Sequence, residues 1–271
     1  MMFNKKDYII DYFKNEIILL KNDIKPRKIT GSNFYDIANY GSEDDQYNSG
    51  FEAMVSRVLG VRTGVYDTIY VDAGNVYEDL IVSKIKEIFP GYEITHLSPE
   101  EYNYDYFKEE ESFGGVPDFL VTNDKEKIVI DVKTKKKKKN MELVADVKYI
   151  HQVNLYKQLL GYDKALLLYI YLEYPFDYIE PSIEGKKAMI FNVTIPDKEV
   201  IKEKNKALTN IQRVLNDQKI VDFDAKNNYD VLQILEAKDV EERQERERKL
   251  KKTKPISWYE QFKNRTDNPS K

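Results

Sequence analysis

Apolar residues recur along this chain with two different periods, and the switch between them outlines its organisation. Over residues 5–24, Tyr8, Ile9, Tyr12, Phe13, Ile17 and Leu20 fall at helical intervals, which predicts an amphipathic helix ended by Pro26. A polar stretch, KITGSN (28–33), precedes a predicted helix from Phe34, with Ser32 or Asn33 as its cap. FEAMVSRVLG (51–60) predicts another, closed by Gly60, and residues 75–89 a further one with apolar positions at Tyr77, Ile81, Ile85 and Ile88. The period then shortens. YEITHL (92–97) reads as a strand and the acidic segment 99–112 as a loop. PDFLV (117–121) and KIVIDVK (127–133) read as two strands joined by the turn NDKE. VKYIHQVNLYKQLLG (147–161) is helical in pattern and ends at a glycine, ALLLYIYL (165–172) and KAMIFNVTI (187–195) are strands, and a helix of about twenty residues follows Pro196.

This order predicts an α/β fold with a mixed α+β sheet over residues 25–220, preceded by an N-terminal helix (1–24) and followed by a charged helical tail (221–271). In the tail, VLQILEAKDVEERQERERKLKKTK (231–254) is almost all charge beyond Glu236, the pattern of a solvated helix. Pro255, Trp258, Tyr259 and Phe262 form a short aromatic cluster after it. No internal repeat is visible.

Composition narrows the picture. With 271 residues and 41% hydrophobic content there is ample material for a packed core. A charged fraction of 33% with a net charge of −4 excludes a globally basic nucleic-acid binder but leaves room for a local basic patch. The chain has no cysteine, which excludes disulfides, thiolate zinc sites and thiolate-ligated iron–sulfur clusters, and makes a reducing cytoplasm the simplest location. No apolar run is long enough to span a membrane, and the N-terminal stretch lacks the layout of a signal peptide.

The candidate chemistry lies in the predicted hairpin. Asp131 and Lys133 are two apart on a strand, so both leave one face while Ile128, Ile130 and Val132 leave the other. GGVPDFLV places Asp118 at the start of the preceding arm, and antiparallel pairing sets the start of one arm beside the end of the next. Gly114 and Gly115 free the backbone at the entry to that arm. Two adjacent carboxylates are costly unless a cation joins them, and oxygen ligands suit Mg²⁺ or Mn²⁺. The backbone carbonyl of Val132 would complete the protein's ligands. Such an ion binds a phosphodiester oxygen and activates water, while Lys133 orients or helps deprotonate that water and offsets transition-state charge. Glu78 shares a helix face with Ile81, Val82 and Ile85, so it is expected to point inward as a further ligand, direct or through water, with Asp79 outward. Gln152 and Tyr156, at i and i+4, share a helix face, Gln152 for DNA or a catalytic water and Tyr156 packed beneath.

These stretches, in order, resemble the PD-(D/E)xK nucleases and more closely the YqaJ-type viral recombinases, the group of lambda exonuclease. KITGSN resembles the group's Ile-Thr-Ala-Ser stretch, GNVYED its Gly-Asn-x-x-Glu, GGVPDFLV its Ser-Pro-Asp-Gly-Leu-Val, IDVKTK its Glu-Ile-Lys strand and QVNLYKQLLGY its Gln-x-x-x-Tyr helix. Asp131 stands where glutamate is usual, and Phe119 where glycine follows Pro-Asp. The resemblance implies Mg²⁺-dependent digestion of linear duplex DNA from a 5′ end, a ring-shaped trimer and a single-strand annealing partner. It also implies a 5′-phosphate contact through Thr30 and Ser32, with Arg27 or Lys25 as the cation.

The lysine run that follows Lys133, including Lys135, Lys136 and Lys137, is expected to guide phosphates past the site, with no single lysine essential. The rival nucleases are RecB-like or CRISPR-associated enzymes, many of which carry a four-cysteine cluster that this chain cannot form, and restriction endonucleases, which cut closed circles. A DNA-binding or scaffold protein on the same fold is the non-enzymatic rival.

Overall fold

The computed structural model describes residues 5–43, 45, 49–61, 68–136, 144–173, 177 and 181–252. In chain order the elements are a 3-10 turn (Lys5–Asp7), β1 (Tyr8–Asp11), β2 (Glu16–Leu19), β3 (Ile29–Thr30), α1 (Gly31–Ala38), α2 (Ser49–Val58), α3 (Thr68–Ile88), β4 (Glu93–His96), β5 (Phe113–Gly114), β6 (Phe119–Thr122), β7 (Lys127–Lys136), α4 (Val147–Leu160), β8 (Lys164–Leu172), β9 (Lys187–Asn192), α5 (Asp197–Asp217), β10 (Lys219–Ile220), α6 (Tyr229–Leu235) and α7 (Val240–Lys252). They form two compact units, one within residues 1–65, 107–114 and 196–253, the other within 66–106 and 115–195.

The second unit is built on a five-stranded mixed sheet in the order β4-β6-β7-β8-β9. The β6–β7 hairpin is antiparallel, with Phe119 opposite Ile130 and Val121 opposite Ile128. β7 runs parallel to β8, and the return between them is α4, the crossover that a parallel pair requires. One face of the sheet carries Phe119, Val121, Ile128, Ile130, Val132, Leu166, Leu168, Ile170 and Leu172, which pack on Ala73, Tyr77, Ile81 and Ile85 of α3. Burying each such side chain contributes about 1.5–3 kcal/mol, so this seam holds the register of the central strands. α4 packs against β7 and β8, with Val153, Leu155 and Tyr156 buried. Asp146 caps α4 by accepting a hydrogen bond from the Lys148 amide at 3.0 Å, and Gly161 closes the helix in the left-handed conformation.

The first unit corrects the N-terminal prediction. Residues 5–24 do not form a helix. They form a short 3-10 turn and the antiparallel β1–β2 hairpin, in which Tyr8 faces Leu19 and Ile10 faces Ile17. Asp11 Oδ1 accepts from the amides of Phe13 and Lys14, and Asn15 takes a positive φ of 54°, so the chain turns where a helix would continue. Tyr8, Ile17 and Leu19 are buried, whereas Ile9 is half exposed. β10, some two hundred residues downstream, supplies the third strand. α1 starts at Gly31 with Thr30 as its N-cap, earlier than expected and with neither Ser32 nor Asn33 in that position. In the tail, α6 buries Val231, Leu232, Ile234 and Leu235, and Leu235 accepts hydrogen bonds through its carbonyl from Tyr8 Oη (2.6 Å) and Lys5 Nζ (3.1 Å). That part of the tail is packed, whereas α7 is the charged helix expected. The aromatic cluster at Pro255, Trp258, Tyr259 and Phe262 lies outside the described residues. No helix among the described residues is long and apolar enough to cross a membrane.

Candidate functional site

The hairpin register continues one step beyond Phe119 and Ile130 to set Asp118 beside Asp131 on one sheet face, opposite the apolar seam. Asp118 is fixed at both ends. Its carbonyl accepts from the Leu97 amide at 3.0 Å, and its carboxylate Oδ2 accepts from the Val132 amide at 2.6 Å. A residue's N–H and C=O leave the same edge of a strand, so the Val132 carbonyl also faces this side, where the β6–β7 ladder has ended.

Asp131 is wholly buried. Its Oδ1 accepts from Gln152 Nε2 at 3.1 Å. Its Oδ2 lies 2.5 Å from Lys133 Nζ, an ion pair within hydrogen-bond reach. Gln152 also shares a hydrogen bond with Tyr156, which therefore supports the Gln152–Asp131 contact from below. The Tyr156 ring in turn lies under Gly115, whose φ is +117° and where an added Cβ would meet the tyrosine hydroxyl at 2.6 Å. The glycine, tyrosine, glutamine and aspartate thus form one chain of contacts.

Charge is concentrated here. Burial raises Glu78 to about 9, and the Asp118 carboxylate adds to the rise against the pull of Lys133. Burial likewise lifts Asp131 to about 7 and raises Asp118, in both cases against the pull of Lys133. Burial works against the Lys133 ammonium, but Asp131 and Asp118 more than offset it and hold the group firmly charged. As expected, Glu78 is half-buried and its neighbour Asp79 exposed.

The donor set fits a hard divalent cation. Two carboxylates and a carbonyl offer oxygen only, and burial pushes all three carboxyl groups toward protonation, a cost that a bound cation would relieve. Among the described residues no three His, Cys, Asp or Glu side chains gather closely enough to share a metal. Asp118, Asp131 and the Val132 carbonyl are therefore the candidate direct ligands, with Glu78 coupled to them through space.

These shifts set a pH dependence for the metal-free protein. A carboxyl group whose folded pKa is raised stabilises the fold fully below its unfolded value and loses that contribution as pH rises through the folded value. Thermal melts of the metal-free protein should therefore fall from about pH 5 upward, through about 7 for Asp131 and about 9 for Glu78. Glu78→Gln should flatten the upper part of that curve. A melting temperature for Glu78→Gln that falls as steeply as the native one between pH 7 and 9 would remove Glu78 from the charge cluster.

Sequence reasoning missed an aromatic layer around the lysines. Lys133 Nζ lies 5.3 Å from the Tyr149 ring centroid, and Lys135 Nζ lies 4.8 Å from Tyr149 and 5.2 Å from Tyr169. Tyr169 Oη accepts from the Asp146 amide at 2.8 Å and so anchors the start of α4, while Lys135 also approaches Asp146 at 3.8 Å. The signal was present in the sheet register, Lys133 opposite Tyr169 and Lys135 opposite Tyr171, but a register is not visible before the strands are paired. Lys135 is thus held by its own neighbours. Lys136 is exposed, and Lys137 lies outside the described residues. Thr30 and Ser32 come together in the first unit, their hydroxyls 3.1 Å apart, and the Thr30 amide donates to Asn33 Oδ1. Arg27 is exposed, its amide donating to the Arg57 carbonyl at 2.9 Å.

The Pro-Asp arm, the Asp-x-Lys strand and the Gln-x-x-x-Tyr helix meet on the mixed sheet of the second unit. No family model matches the chain. It is 24% identical over 219 residues to an uncharacterized protein of Mycoplasma genitalium, a match covering 64% of this chain and 75% of that one. Among solved structures, a phage-related exonuclease from Haemophilus somnus is similar over 72% of this chain and 96% of its own, at 16% identity and a TM-score of 0.49. An alkaline exonuclease from Laribacter hongkongensis is similar over 70% and 89%, at 14% identity and a TM-score of 0.45.

Proposed function

We propose that this chain is a divalent-metal-dependent deoxyribonuclease that digests linear duplex DNA from a 5′ end, in phage-type or mobile-element recombination. The observation that carries the reading is the convergence of Asp118 and Asp131 on one sheet face beside the Lys133 ammonium, with Glu78 electrostatically coupled to all three. Two structural relatives are exonucleases by description, but the reading rests on the site.

Asp118, Asp131 and the Val132 carbonyl would hold Mg²⁺, or Mn²⁺ in its place. When bound, the ion would polarise the scissile phosphodiester and lower the pKa of a water. The residues of the chain do the rest. Gln152 keeps the Asp131 carboxylate in one orientation. Lys133, held charged by two aspartates, acts through its positive charge and its N–H donors rather than as a base, orienting the nucleophilic water and offsetting charge on the phosphate. Thr30 and Ser32, with Arg27 or Lys25, are the proposed donors to a terminal 5′-phosphate. A trimer and a single-strand annealing partner belong to the same reading.

The test offers three DNAs, each with Mg²⁺ or with EDTA: a 5′-phosphorylated linear duplex, its 5′-hydroxyl counterpart and a covalently closed circle. The first should disappear fastest, the second more slowly and the circle not at all, with no loss of any in EDTA. Cutting of the circle would make the protein an endonuclease, and Mg²⁺-dependent turnover of none of the three would end the enzymatic reading.

A further inference from the structure

The first unit holds a groove of about 550 Å³ walled by the C-terminal end of α1 with the turn after it and by one face of α5. Its cations are Lys202, Lys206 and Arg213, and none of its lining residues is an aspartate or glutamate. That composition stands out in a chain with 47 acidic and 43 basic residues. The three cations recur at i, i+4 and i+11 on α5, which places them along one face.

The walls are rigid. Tyr40 is buried, and its hydroxyl donates to the Val221 carbonyl at 3.0 Å and accepts from the Val221 amide at 2.7 Å. Arg213 lies over that ring, its guanidinium carbon 5.5 Å from the centroid, and donates through Nη2 to the Tyr40 carbonyl at 3.4 Å. Asn210 donates to the carbonyls of Ile37 and Ala38 at 2.9 and 3.1 Å and so ties α5 to the end of α1. Lys206 is exposed and contacts the largely buried Glu203 carboxylate at 3.0 Å, so one of the three cations shares its charge with a neighbouring acid. A guanidinium held on an aromatic face keeps its remaining N–H groups oriented for a phosphate.

We infer that this groove binds the phosphodiester backbone of duplex DNA, as a second nucleic-acid contact distinct from the carboxylate centre. Along a helix rising 1.5 Å per residue, Lys202 and Arg213 are about 16 Å apart, longer than one phosphate group and matched to a run of them. The groove is also open rather than enclosed, which suits a polymer backbone better than a small molecule. The choice of DNA over another polyanion rests on the nuclease reading; the groove's anion preference does not.

The test measures binding of a short blunt duplex in EDTA, so that no turnover occurs, over a series of salt concentrations. The variant carries Lys202→Gln, Lys206→Gln and Arg213→Gln. A control carries the same charge change at three exposed lysines elsewhere, Lys86→Gln, Lys125→Gln and Lys226→Gln. The groove variant should bind at least about tenfold more weakly at about 150 mM salt, with a salt slope shallower by about 2 to 3, and the control should match the native protein. Equal weakening in both variants, or in neither, overturns the assignment. Circular dichroism melts check folding; if the triple variant unfolds, Lys202→Gln alone should still reduce the slope by about 1, and an unchanged slope overturns the inference. Displacement of the duplex by millimolar inorganic phosphate would mark a small-anion pocket and also overturn it. A native protein that cleaves DNA with a variant that binds normally refutes the groove alone. A native protein that never cleaves, with a variant that binds weakly, refutes the enzyme reading alone.

Discussion

Lys133→Ala digests a 5′-phosphorylated linear duplex at least about 100-fold more slowly than the native protein, while its duplex affinity in EDTA stays within about threefold. Two effects combine. The ammonium that contacts Asp131 at 2.5 Å is lost, so no fixed positive charge or N–H donor remains to orient water or offset developing negative charge. The fully buried Asp131, already lifted to about 7 by its surroundings, then rises further and takes up a proton at neutral pH, which weakens its hold on a divalent cation. Lys133→Met, which keeps most of the side-chain volume, separates lost charge from lost packing and should be as slow as the alanine variant. Native-like digestion by Lys133→Met would remove Lys133 from the mechanism.

Gly115→Ala lowers stability by about 3 kcal/mol or more, from a positive-φ strain of order 1–3 kcal/mol together with a steric clash. The clash is with the Tyr156 hydroxyl, 2.6 Å from the added Cβ, and Tyr156 is only 3% exposed, so the ring has nowhere to retreat. Because Tyr156 supports Gln152 and Gln152 orients Asp131, cleavage should fall with stability. Tyr156→Phe deletes the colliding oxygen and leaves ring atoms at 3.2 Å, so the double variant should melt above Gly115→Ala alone, though below the native protein because φ remains strained. A double variant no more stable than Gly115→Ala would show that backbone strain accounts for the whole loss and that the ring contact contributes nothing.

Both variants act on residues that local sequence features had marked. Asp118, Asp131 and Lys133 were legible because a two-residue hairpin period and a short turn dictate which face each side chain leaves, and the register agrees. Gln152 and Tyr156 were legible from helical spacing, and their order relative to Asp131 came from the parallel crossover. Glu78 and Asp79 separated as the helix face required, although α3 begins at Thr68, earlier than the apolar pattern suggested. The N-terminal segment misled because Tyr8, Tyr12 and neighbouring isoleucines satisfy a helical spacing by coincidence. What decides the hairpin is the turn at Asp11–Asn15 and a partner strand, β10, that no local window contains.

The chain's own order of residues determined the alternation of apolar positions and the paired aspartates with their lysine, because each depends on neighbours within a few residues or across one tight turn. The tertiary structure alone decided the rest. It set the depth of burial that drives three carboxyl groups upward, the tyrosine faces that hold Lys133 and Lys135, and the acid-free groove between α1 and α5. Desolvation and through-space charge depend on which distant segments exclude water from a point, and that is fixed only when the strands and helices pack.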